Sequence, residues 1–229
     1  MGAPPPSGRL DGRHALVTMA DRYTGPAVMD RFRAEGATVI EDTDSHLRPD
    51  GPQAAVDAAG PLDILVVNLV ARWRPAPPTE TTDERWLAMF DVLVHPTMRF
   101  VRAVLPQMIE RRSGKIIVVT SAAPLRATPQ SDAYSAARAA QNAYVQTVGA
   151  DVARHNVQVN AIAQAYVESV DAFQRSTWDS ESIQRQLRHV PAGRIAESWE
   201  QAELVTFLAS RSSDFIAGQI IPYAGGWVT

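Results

Sequence analysis

Cysteine is absent from this 229-residue chain, so neither disulfides nor thiolate metal sites can form. No apolar run approaches the roughly 20 residues that a membrane-spanning helix needs. Metal-ligand spacing is also missing among the five histidines, which are scattered along the chain: His14, His46, His95, His155 and His189. We therefore predict neither a metal site nor a membrane segment.

A strong excess of charge of either sign is missing as well. The net charge is -3, which disfavours nucleic acid and anionic membranes as partners because both attract basic surfaces. The first residues, MGAPPPSGRLDG, lack the apolar centre of a signal peptide. We expect residues 1–12 to be a disordered Pro/Gly-rich segment, residues 13–229 to fold as one domain, and the protein to be cytoplasmic.

The chain does contain a regular alternation of short apolar strands and helical segments. The predicted strands are residues 14–18, 37–41, 63–68, 115–120, 157–162 and a final run beginning near residue 218. The predicted helices are residues 26–34, 53–59, 82–112, 131–155 and 201–210. Such alternation produces right-handed βαβ units, so the fold class is α/β, a doubly wound parallel sheet with helices on both faces.

The helix predicted over residues 82–112 has recognisable signals at its start and in its middle. Thr81 and Glu84 have the spacing of a capping box, in which each side chain bonds the other's backbone N–H. Pro96 lacks a backbone N–H, so we expect the helix to bend near it. Gly114 follows the predicted end.

Candidate catalytic residues lie where ligands bind in such sheets, beyond the carboxyl ends of the strands. Ser121 directly follows the strand KIIVVT, and Tyr134 lies thirteen residues later, near the start of the next predicted helix. Arg138 is four residues beyond Tyr134, so the two share one face of that helix. We expect this topology to bring Ser121 close to Tyr134.

This set of side chains suits proton removal from a hydroxyl group. A free tyrosine has a pKa of about 10 and is a poor base at neutral pH, but an adjacent guanidinium favours the phenolate. The serine can hold the substrate oxygen while the phenolate takes its proton. The alternative interpretation is that Tyr134 is an ordinary half-buried tyrosine and Arg138 its solvated neighbour.

The chain from His14 to Thr229 resembles the short-chain dehydrogenase/reductase superfamily. The segments that carry the resemblance are DILVVN, VLPQMIERRSGKIIVVTSAA, YSAAR, VQVNAI and FLASRSSDFIAGQIIPYAGGW. The resemblance implies a Rossmann-like catalytic domain over residues 13–229. In this family's reductases a lysine stands at the position of Arg138 and also binds the ribose of NAD(P).

The cofactor turn of those reductases, close to T-G-x-x-x-G-x-G, is changed in this chain to TMADRYTG. Glycines are needed there because only bare backbone lets the pyrophosphate approach the helix N-terminus. Met19 stands at the first glycine position, and Tyr23 adds a phenol ring to the turn. These side chains would fill the cofactor's volume, so we predict no nicotinamide cofactor.

Other departures from the reductase pattern agree with the altered turn. Leu93 replaces an asparagine that supports a proton relay, and Gln164 with Ala165 replaces the proline-glycine pair beside the nicotinamide. Glu41 and Asp42 argue the other way, because an acid at the end of the second strand binds the adenosine ribose of NAD in relatives. They are equally explained as solvated residues at a strand end.

With its serine, tyrosine, arginine and altered turn, the chain is similar to the halohydrin dehalogenases, a cofactor-free branch of this superfamily. The resemblance implies that Ser121 and Tyr134 bind the hydroxyl of a vicinal haloalcohol and that Tyr134, assisted by Arg138, removes its proton. The alkoxide then displaces the neighbouring halide, giving an epoxide, a halide ion and a proton. The family also runs the reverse reaction with azide, cyanide or nitrite.

The same resemblance implies a halide site and a substrate pocket. The expected halide-binding residues are Tyr23, Gln164, Ala165, Tyr166 and Val167. The expected substrate-pocket residues are Asn68, Ala123, Pro124 and Leu125, with further candidates Trp73, Phe173 and Trp178. Residues 169–182 are expected to form a mobile flap.

Two long helices carry apolar residues on more than one face, and family likeness points to a homotetramer. The partners we expect are therefore a haloalcohol or epoxide, a halide or other small anion, and further copies of the chain. Two alternatives remain open from the sequence. One is an NAD(P)-dependent short-chain oxidoreductase with an unusual turn, and the other is a catalytically inactive scaffold.

Overall fold

Six short aliphatic runs form one parallel sheet in the computed structural model, which describes residues 2–72 and 74–228. The strands are β1 His14–Thr18, β2 Thr38–Asp42, β3 Ile64–Asn68, β4 Gly114–Ser121, β5 Val157–Gln164 and β6 Ile220–Tyr223. Their order in the sheet is β2-β1-β3-β4-β5-β6, and every pairing is parallel. Every residue of β3, β4 and β5 is buried, as expected for strands covered on both faces.

Helices cover both faces of the sheet. The α-helices of the described residues are α1 Gly25–Ala34, α2 Gly51–Ala59, α3 Asp83–Met89, α4 His95–Arg111, α5 Asp132–Val152, α6 Glu181–Leu187 and α7 Ser198–Ala209, of which α6 packs in a separate small cluster. Val28 of α1 and Val205 of α7 belong to the core on one face. Val56 of α2, Phe100 of α4 and Val145 of α5 belong to the core on the other. The predicted doubly wound α/β fold is confirmed.

Two central strands run further than the sequence predicted. β4 ends at Ser121 rather than Thr120, and β5 ends at Gln164 rather than Ile162. Ser121 is paired in register with Gln164, and Gln164 in turn with Tyr223 of β6. β5 therefore continues beyond its apolar run, because β4 and β6 on either side remain paired with it as far as Gln164. The extension places Ser121 and Gln164 side by side at the carboxyl edge.

The single long helix predicted over residues 82–112 is divided into three parts. α3 and α4 are separated by one π-helical turn, Phe90–Val94, just before Pro96. Pro96 cannot donate an intrahelical hydrogen bond, which favours an irregular turn at this point. The predicted cap is also wrong: Thr82, not Thr81, accepts the N–H of Arg85 at 3.3 Å. The Thr81 hydroxyl instead donates to Asp132 at the start of α5.

Residues 7–12 pack on the domain, whereas the sequence suggested disorder throughout residues 1–12. The backbone N–H groups of Ser7 and Arg9 donate to the Glu35 carboxylate at 3.1 and 2.9 Å. Leu10 is 1% exposed and joins the core beside α1 and α7. The proline and glycine content of this segment suggested disorder. Its order depends instead on contacts with Glu35, a buried carboxylate distant in sequence.

Helix α6 was not predicted, because its residues ESIQRQL are mostly polar and its first two residues end the segment interpreted as a flap. It begins at an N-cap, Ser180, whose side chain accepts the N–H of Ile183. Across the described parts of the chain, no helix has both the length and the apolar character needed to cross a bilayer.

Candidate active site

A cavity of about 910 Å³ opens at the carboxyl edge of the sheet, between the loops that follow β1, β3, β4 and β5. Residues of the sequence-predicted site that line it are Tyr23, Ser121, Ala123, Tyr134, Arg138, Gln164, Ala165, Tyr166, Val167 and Phe173. The fold therefore brings the expected catalytic and halide-binding side chains to one place.

Tyr134 and Arg138 lie on successive turns of α5 and are in direct contact. The Arg138 Nε donates to the Tyr134 hydroxyl oxygen at 3.2 Å, and the guanidinium carbon lies 5.3 Å from the centre of the tyrosine ring. The contact places a positive charge directly against the Tyr134 oxygen. The pair can therefore act as a base toward a hydroxyl in the cavity.

The Arg138 guanidinium is only 1% exposed, yet all its acceptors are neutral. Besides Tyr134 it donates to the carbonyls of Val119 and Leu69 at 3.1 and 2.9 Å, and to Gln141 Oε1 at 3.0 Å. No carboxylate among residues 2–72 and 74–228 forms an ion pair with it. Burying a cation without a counterion costs several kcal/mol, so this site favours an anion beside Arg138.

Ser121 ends β4 at the floor of the cavity and is nearly buried. Its Oγ accepts the N–H of Ala123 at 3.1 Å, which fixes the side chain. The hydroxyl hydrogen then remains available to a ligand oxygen. Tyr134 lines the same cavity.

The turn after β1 keeps a backbone shape that normally uses glycine. Met19 and Tyr23 have φ values of 44° and 53°, in the left-handed region, and such residues cost of order 1–3 kcal/mol each. The Asn68 side chain holds the turn by donating to the carbonyls of Met19 and Arg22 at 3.2 and 3.0 Å. Asn68 is fully buried behind this turn, so the substrate-pocket position predicted for it is wrong.

The loop after β5 is bonded across this turn. Asp171 accepts the Tyr23 N–H at 2.9 Å and the Arg22 guanidinium at 3.1 Å. The N–H of Val170 donates to the Tyr23 carbonyl at 3.2 Å. A phosphate bound at this turn would use the Tyr23 N–H and the Arg22 guanidinium, but both are already bonded to Asp171. The negative charge of Asp171 would also repel the phosphate.

The Tyr23 side chain extends into the cavity beside Tyr134 and Gln164. Burial raises the pKa of Tyr23, and the nearby Tyr134 raises it further, while Arg138 and a hydrogen bond from Gln164 partly oppose the rise. Tyr23 is therefore a neutral phenol at physiological pH. A half-buried phenol here and a carboxylate on the turn do not fit a nicotinamide dinucleotide.

The two acids at the end of β2 have different surroundings. Glu41 is exposed and paired with Arg33. Asp42 is buried, and its Oδ1 accepts the N–H of Ser45 at 3.2 Å, while its Oδ2 has no partner among the described residues. Only Asp42 could contact an adenosine ribose, and the adjacent turn offers no place for the phosphates.

Gln164 is fixed from behind by a residue that the sequence gave no reason to select. The buried Gln201 of α7 donates from Nε2 to Gln164 Oε1 at 2.8 Å. In this arrangement the carbonyl end of the Gln164 amide faces α7. The Gln164 Nε2 is then the end available to the cavity, where it can donate to an anion or an oxygen.

The segment after β5 supplies backbone donors, but not all that were expected. The Ala165 N–H donates to the Tyr223 carbonyl at 3.0 Å, so Ala165 cannot bind a halide through it. The N–H groups of Tyr166 and Val167 have no acceptor among the residues that the structure describes. Tyr166 has φ 56°, and its ring contacts Phe173 and Trp227.

Only some of the residues predicted for the substrate pocket lie at the cavity. Ala123 lines the cavity, whereas Pro124 and Leu125 do not, because the short 3₁₀ turn after β4 directs them outward. Of the further candidates, Phe173 lines it. Trp178 lies behind, its indole N–H donating to the Phe173 carbonyl at 2.7 Å. Trp73 lies outside the described residues.

No group of three or more metal-ligating side chains occurs in residues 2–72 and 74–228. The charged groups that the structure describes in the cavity wall are four arginines and one aspartate: Arg22, Arg72, Arg74, Arg138 and Asp171. The cavity is therefore electropositive, although the whole chain has a net charge of -3.

Comparison with known proteins gives matches of two kinds. A family model described as enoyl-(acyl carrier protein) reductase matches residues 50–228. The 3-oxoacyl-(acyl-carrier-protein) reductase FabG of Thermotoga maritima is 28% identical, over 96% of this chain and 99% of its own. Among solved structures, one described as a dehalogenation enzyme is 30% identical, with a TM-score of 0.89, over 96% of this chain and 99% of its own.

A second solved structure is described as halohydrin dehalogenase (HheC) bound to ethyl (2S)-oxiran-2-ylacetate. It is 29% identical, with a TM-score of 0.86, and the match covers 94% of this chain and 97% of that chain. A gluconate 5-dehydrogenase from Burkholderia cenocepacia, solved in complex with NADP and tartrate, is also 29% identical, with a TM-score of 0.86, over 96% of this chain and 96% of its own. The relatives thus share one fold and include both dehydrogenases and dehalogenases. The chain belongs to the short-chain dehydrogenase/reductase superfamily and matches its enoyl-(acyl carrier protein) reductase family model.

Proposed function

We propose that this protein converts vicinal haloalcohols into epoxides without a nicotinamide cofactor. The observation that carries the proposal is the Tyr23 phenol beside Tyr134, on a turn whose donors are bonded to Asp171. A serine, a tyrosine and, in place of lysine, an arginine line the cavity, while Asp171 and the Tyr23 phenol take up contacts that a dinucleotide would need. The two dehalogenase structures at 29–30% identity support the same function.

In the first step, Ser121 and Tyr134 bind the substrate hydroxyl, and the Tyr134 phenolate accepts its proton. Arg138 places positive charge next to the phenol oxygen, because its guanidinium is buried there and pairs with no carboxylate of the described residues. Ser121 donates to the oxygen as negative charge develops on it, which stabilises the alkoxide.

In the second step, a lone pair of the alkoxide oxygen attacks the adjacent carbon from the side opposite the halogen. The carbon–halogen bond breaks, and the halide leaves with the bonding electrons. The proton on Tyr134 is released to solvent. The overall products are an epoxide, a halide ion and a proton.

The halide needs donors in a site that contains little water. The Gln164 Nε2, the N–H groups of Tyr166 and Val167 and the positive ring edge of Tyr23 are suited to this role. Ala165 would shape the site without donating. An electropositive cavity also suits azide, cyanide or nitrite as nucleophiles in the reverse reaction.

The test is halide release and acidification after addition of 1,3-dichloro-2-propanol to protein purified without NAD(P)H. We expect both signals, and a loss of about 100-fold to 10,000-fold in rate for Tyr134→Phe. Ser176→Ala, a change at an exposed position, is the control. Full activity of Tyr134→Phe, or no halide release from any haloalcohol, would contradict the proposal.

A second candidate, an NAD(P)-dependent oxidoreductase, is favoured by the reductase relatives in sequence. It is tested by following intrinsic fluorescence while NADH or NADPH is added. Saturable micromolar binding would support this candidate, and oxidation of the cofactor with a carbonyl substrate would establish it. We expect neither, because Asp171 and Tyr23 occupy the necessary contacts.

We also propose that the protein is a homotetramer. Trp86 and Leu87 of α3 are 40% and 57% exposed, which supports a subunit contact at that helix. Phe100 and Val145, by contrast, are buried within the single chain and need no partner. Analytical ultracentrifugation of wild type and Leu87→Glu tests this, since the variant should dissociate.

A further inference from the structure

A buried chain of hydrogen bonds connects the Arg138 guanidinium to the irregular turn between α3 and α4. Gln141, one turn beyond Arg138 on α5, accepts from Arg138 Nη1 at 3.0 Å through its Oε1. The Gln141 Nε2 donates to the Leu93 carbonyl at 3.0 Å and to Thr97 Oγ1 at 2.7 Å. Gln141, Leu93 and Thr97 are each at most 1% exposed.

The Leu93 carbonyl, in the π-helical turn, accepts hydrogen bonds from two side chains. It accepts from Thr97 Oγ1 at 2.6 Å as well as from Gln141. These contacts orient the Gln141 amide, because its NH₂ group has two acceptors on that side. The carbonyl oxygen of the amide must then face Arg138, the donor on the other side.

The Gln141 side chain is neutral, so it accepts a hydrogen bond from Arg138 without cancelling the positive charge of the guanidinium. A glutamate of the same shape could accept the same bond from Arg138, but it would neutralise the guanidinium in a buried site where charges interact strongly. With Gln141 and the two carbonyls as acceptors, the charge of Arg138 is left for the Tyr134 oxygen. An apolar residue would leave one guanidinium donor without an acceptor.

We propose that Gln141 is a positioning residue for the reaction: it fixes the Arg138 guanidinium against Tyr134 and keeps the positive charge of Arg138 uncompensated. Gln141 contacts neither the cavity nor the reacting atoms, and acts only through Arg138. The proposal rests on the proposed function for its effect on rate. Its effect on ionisation of Tyr134 is independent of which reaction the site performs.

The competing explanation is that Gln141 only fills space and satisfies buried polar groups. The two explanations differ for Gln141→Glu, which keeps the volume and adds a negative charge, and for Gln141→Met, which keeps the volume without hydrogen bonds. Gln146→Glu makes the same chemical change at an exposed position of α5 and is the matched control. Thermal unfolding of each variant identifies any that fail to fold.

The first measurement is the pH profile of dehalogenation. We expect Gln141→Glu to lower the rate at neutral pH at least ten-fold, with the deficit shrinking as the pH rises, because the phenolate then forms without help from Arg138. Gln141→Met should show a smaller deficit of the same form. A loss that is equal at all pH values, or no loss in Gln141→Glu, would overturn the proposal.

The second measurement follows tyrosinate absorbance during an alkaline titration, with Tyr134→Phe subtracted to isolate Tyr134. In Gln141→Glu the Tyr134 contribution should appear at higher pH than in wild type, and in Gln146→Glu at the same pH. An unshifted titration in folded Gln141→Glu overturns the proposal. Because it requires no substrate, this result stands even if haloalcohols prove not to be substrates. If Gln141→Glu does not fold, Gln141→Met decides in the same way.

Discussion

Asp171 accepts the backbone N–H of Tyr23 at 2.9 Å, which places a carboxylate on the turn before α1. Nucleotide-binding relatives offer such a turn to a phosphate. In this chain the loop after β5 supplies its own anion, and Arg22 pairs with the same carboxylate at 3.1 Å. The contact thus connects the two loops that flank the proposed halide site. It also gives a role to Asp171, which the sequence analysis did not select.

Asp171→Asn should tighten the binding of bromide. The substitution keeps a hydrogen-bond acceptor for Tyr23 but removes the negative charge from a cavity that otherwise carries arginines, so we expect a two-fold to five-fold lower inhibition constant, an order-of-magnitude estimate for a solvent-screened charge. Bromide inhibition of dehalogenation at low ionic strength measures it. Asp179→Asn, in the same loop but outside the cavity wall, is the control. Weaker bromide binding in Asp171→Asn would show that the charge serves mainly to order the loop.

Gln201→Met should weaken halide binding without touching the halide. Loss of the donor leaves the buried Gln164 Oε1 unsatisfied, which costs about 1–3 kcal/mol of folding stability, and it also frees the amide to rotate. We expect weaker bromide inhibition together with a lower free energy of unfolding, measured by urea titration. Gln146→Met, at an exposed site, should change neither. Loss of stability with unaltered bromide inhibition would mean that Gln164 is not a halide ligand.

The Glu35 carboxylate should make the protein sensitive to acid. Burial alone raises the pKa of Glu35, but hydrogen bonds from the Arg9 side chain and from the backbone N–H groups of Arg9 and Ser7 outweigh it and lower the pKa to about 2. The pKa is therefore lower in the folded than in the unfolded chain, where it is 4.5. Its stabilising contribution is complete above the unfolded value and is lost as the pH falls toward about 2.

Glu35→Gln tests this contribution. It should reduce the free energy of unfolding at neutral pH by about 3 kcal/mol, because Arg31 and Arg9 lose a buried partner. The difference from wild type should shrink as urea titrations are repeated at lower pH. Glu110→Gln, an exposed change, is the control. If the difference in the free energy of unfolding stays constant down to the lowest pH at which both proteins fold, Glu35 is not the source of acid sensitivity.

The strands and most helices could be predicted because their signals are local. Apolar runs such as ILVVN indicate buried strands, and the four-residue spacing of Tyr134 and Arg138 already places them on one helix face. β5 was predicted too short because its last residues, Ala163 and Gln164, are held by neighbours on both sides and not by their own apolar character.

The residues that support the site could not be found in the same way. Asp171 contacts a turn about 150 residues earlier in the chain, and Gln201 reaches Gln164 from another helix. Such contacts exist only after the fold has formed, and nothing in the local sequence distinguishes these side chains from solvated ones. Gln141 was closer to detection, since it lies three residues from Arg138 on the same helix face. Asn68 was assigned to the substrate pocket because it ends a strand. That position does not reveal that its side chain bonds to the turn after β1 and not to the cavity.

The ring of Tyr23, more than its hydroxyl, should control the halide site. An aromatic edge carries positive charge, and the ring excludes water from the cavity, whereas the hydroxyl is a buried neutral phenol whose pKa is raised by burial. We therefore expect Tyr23→Phe to keep bromide inhibition and turnover within about five-fold of wild type, since one neutral hydrogen bond contributes about 1 kcal/mol. Tyr23→Ala should weaken bromide inhibition by more than ten-fold, because water enters the space. Equal losses in the two variants would instead identify the hydroxyl as the halide donor, and the Gln164 amide beside it as the group that orients it.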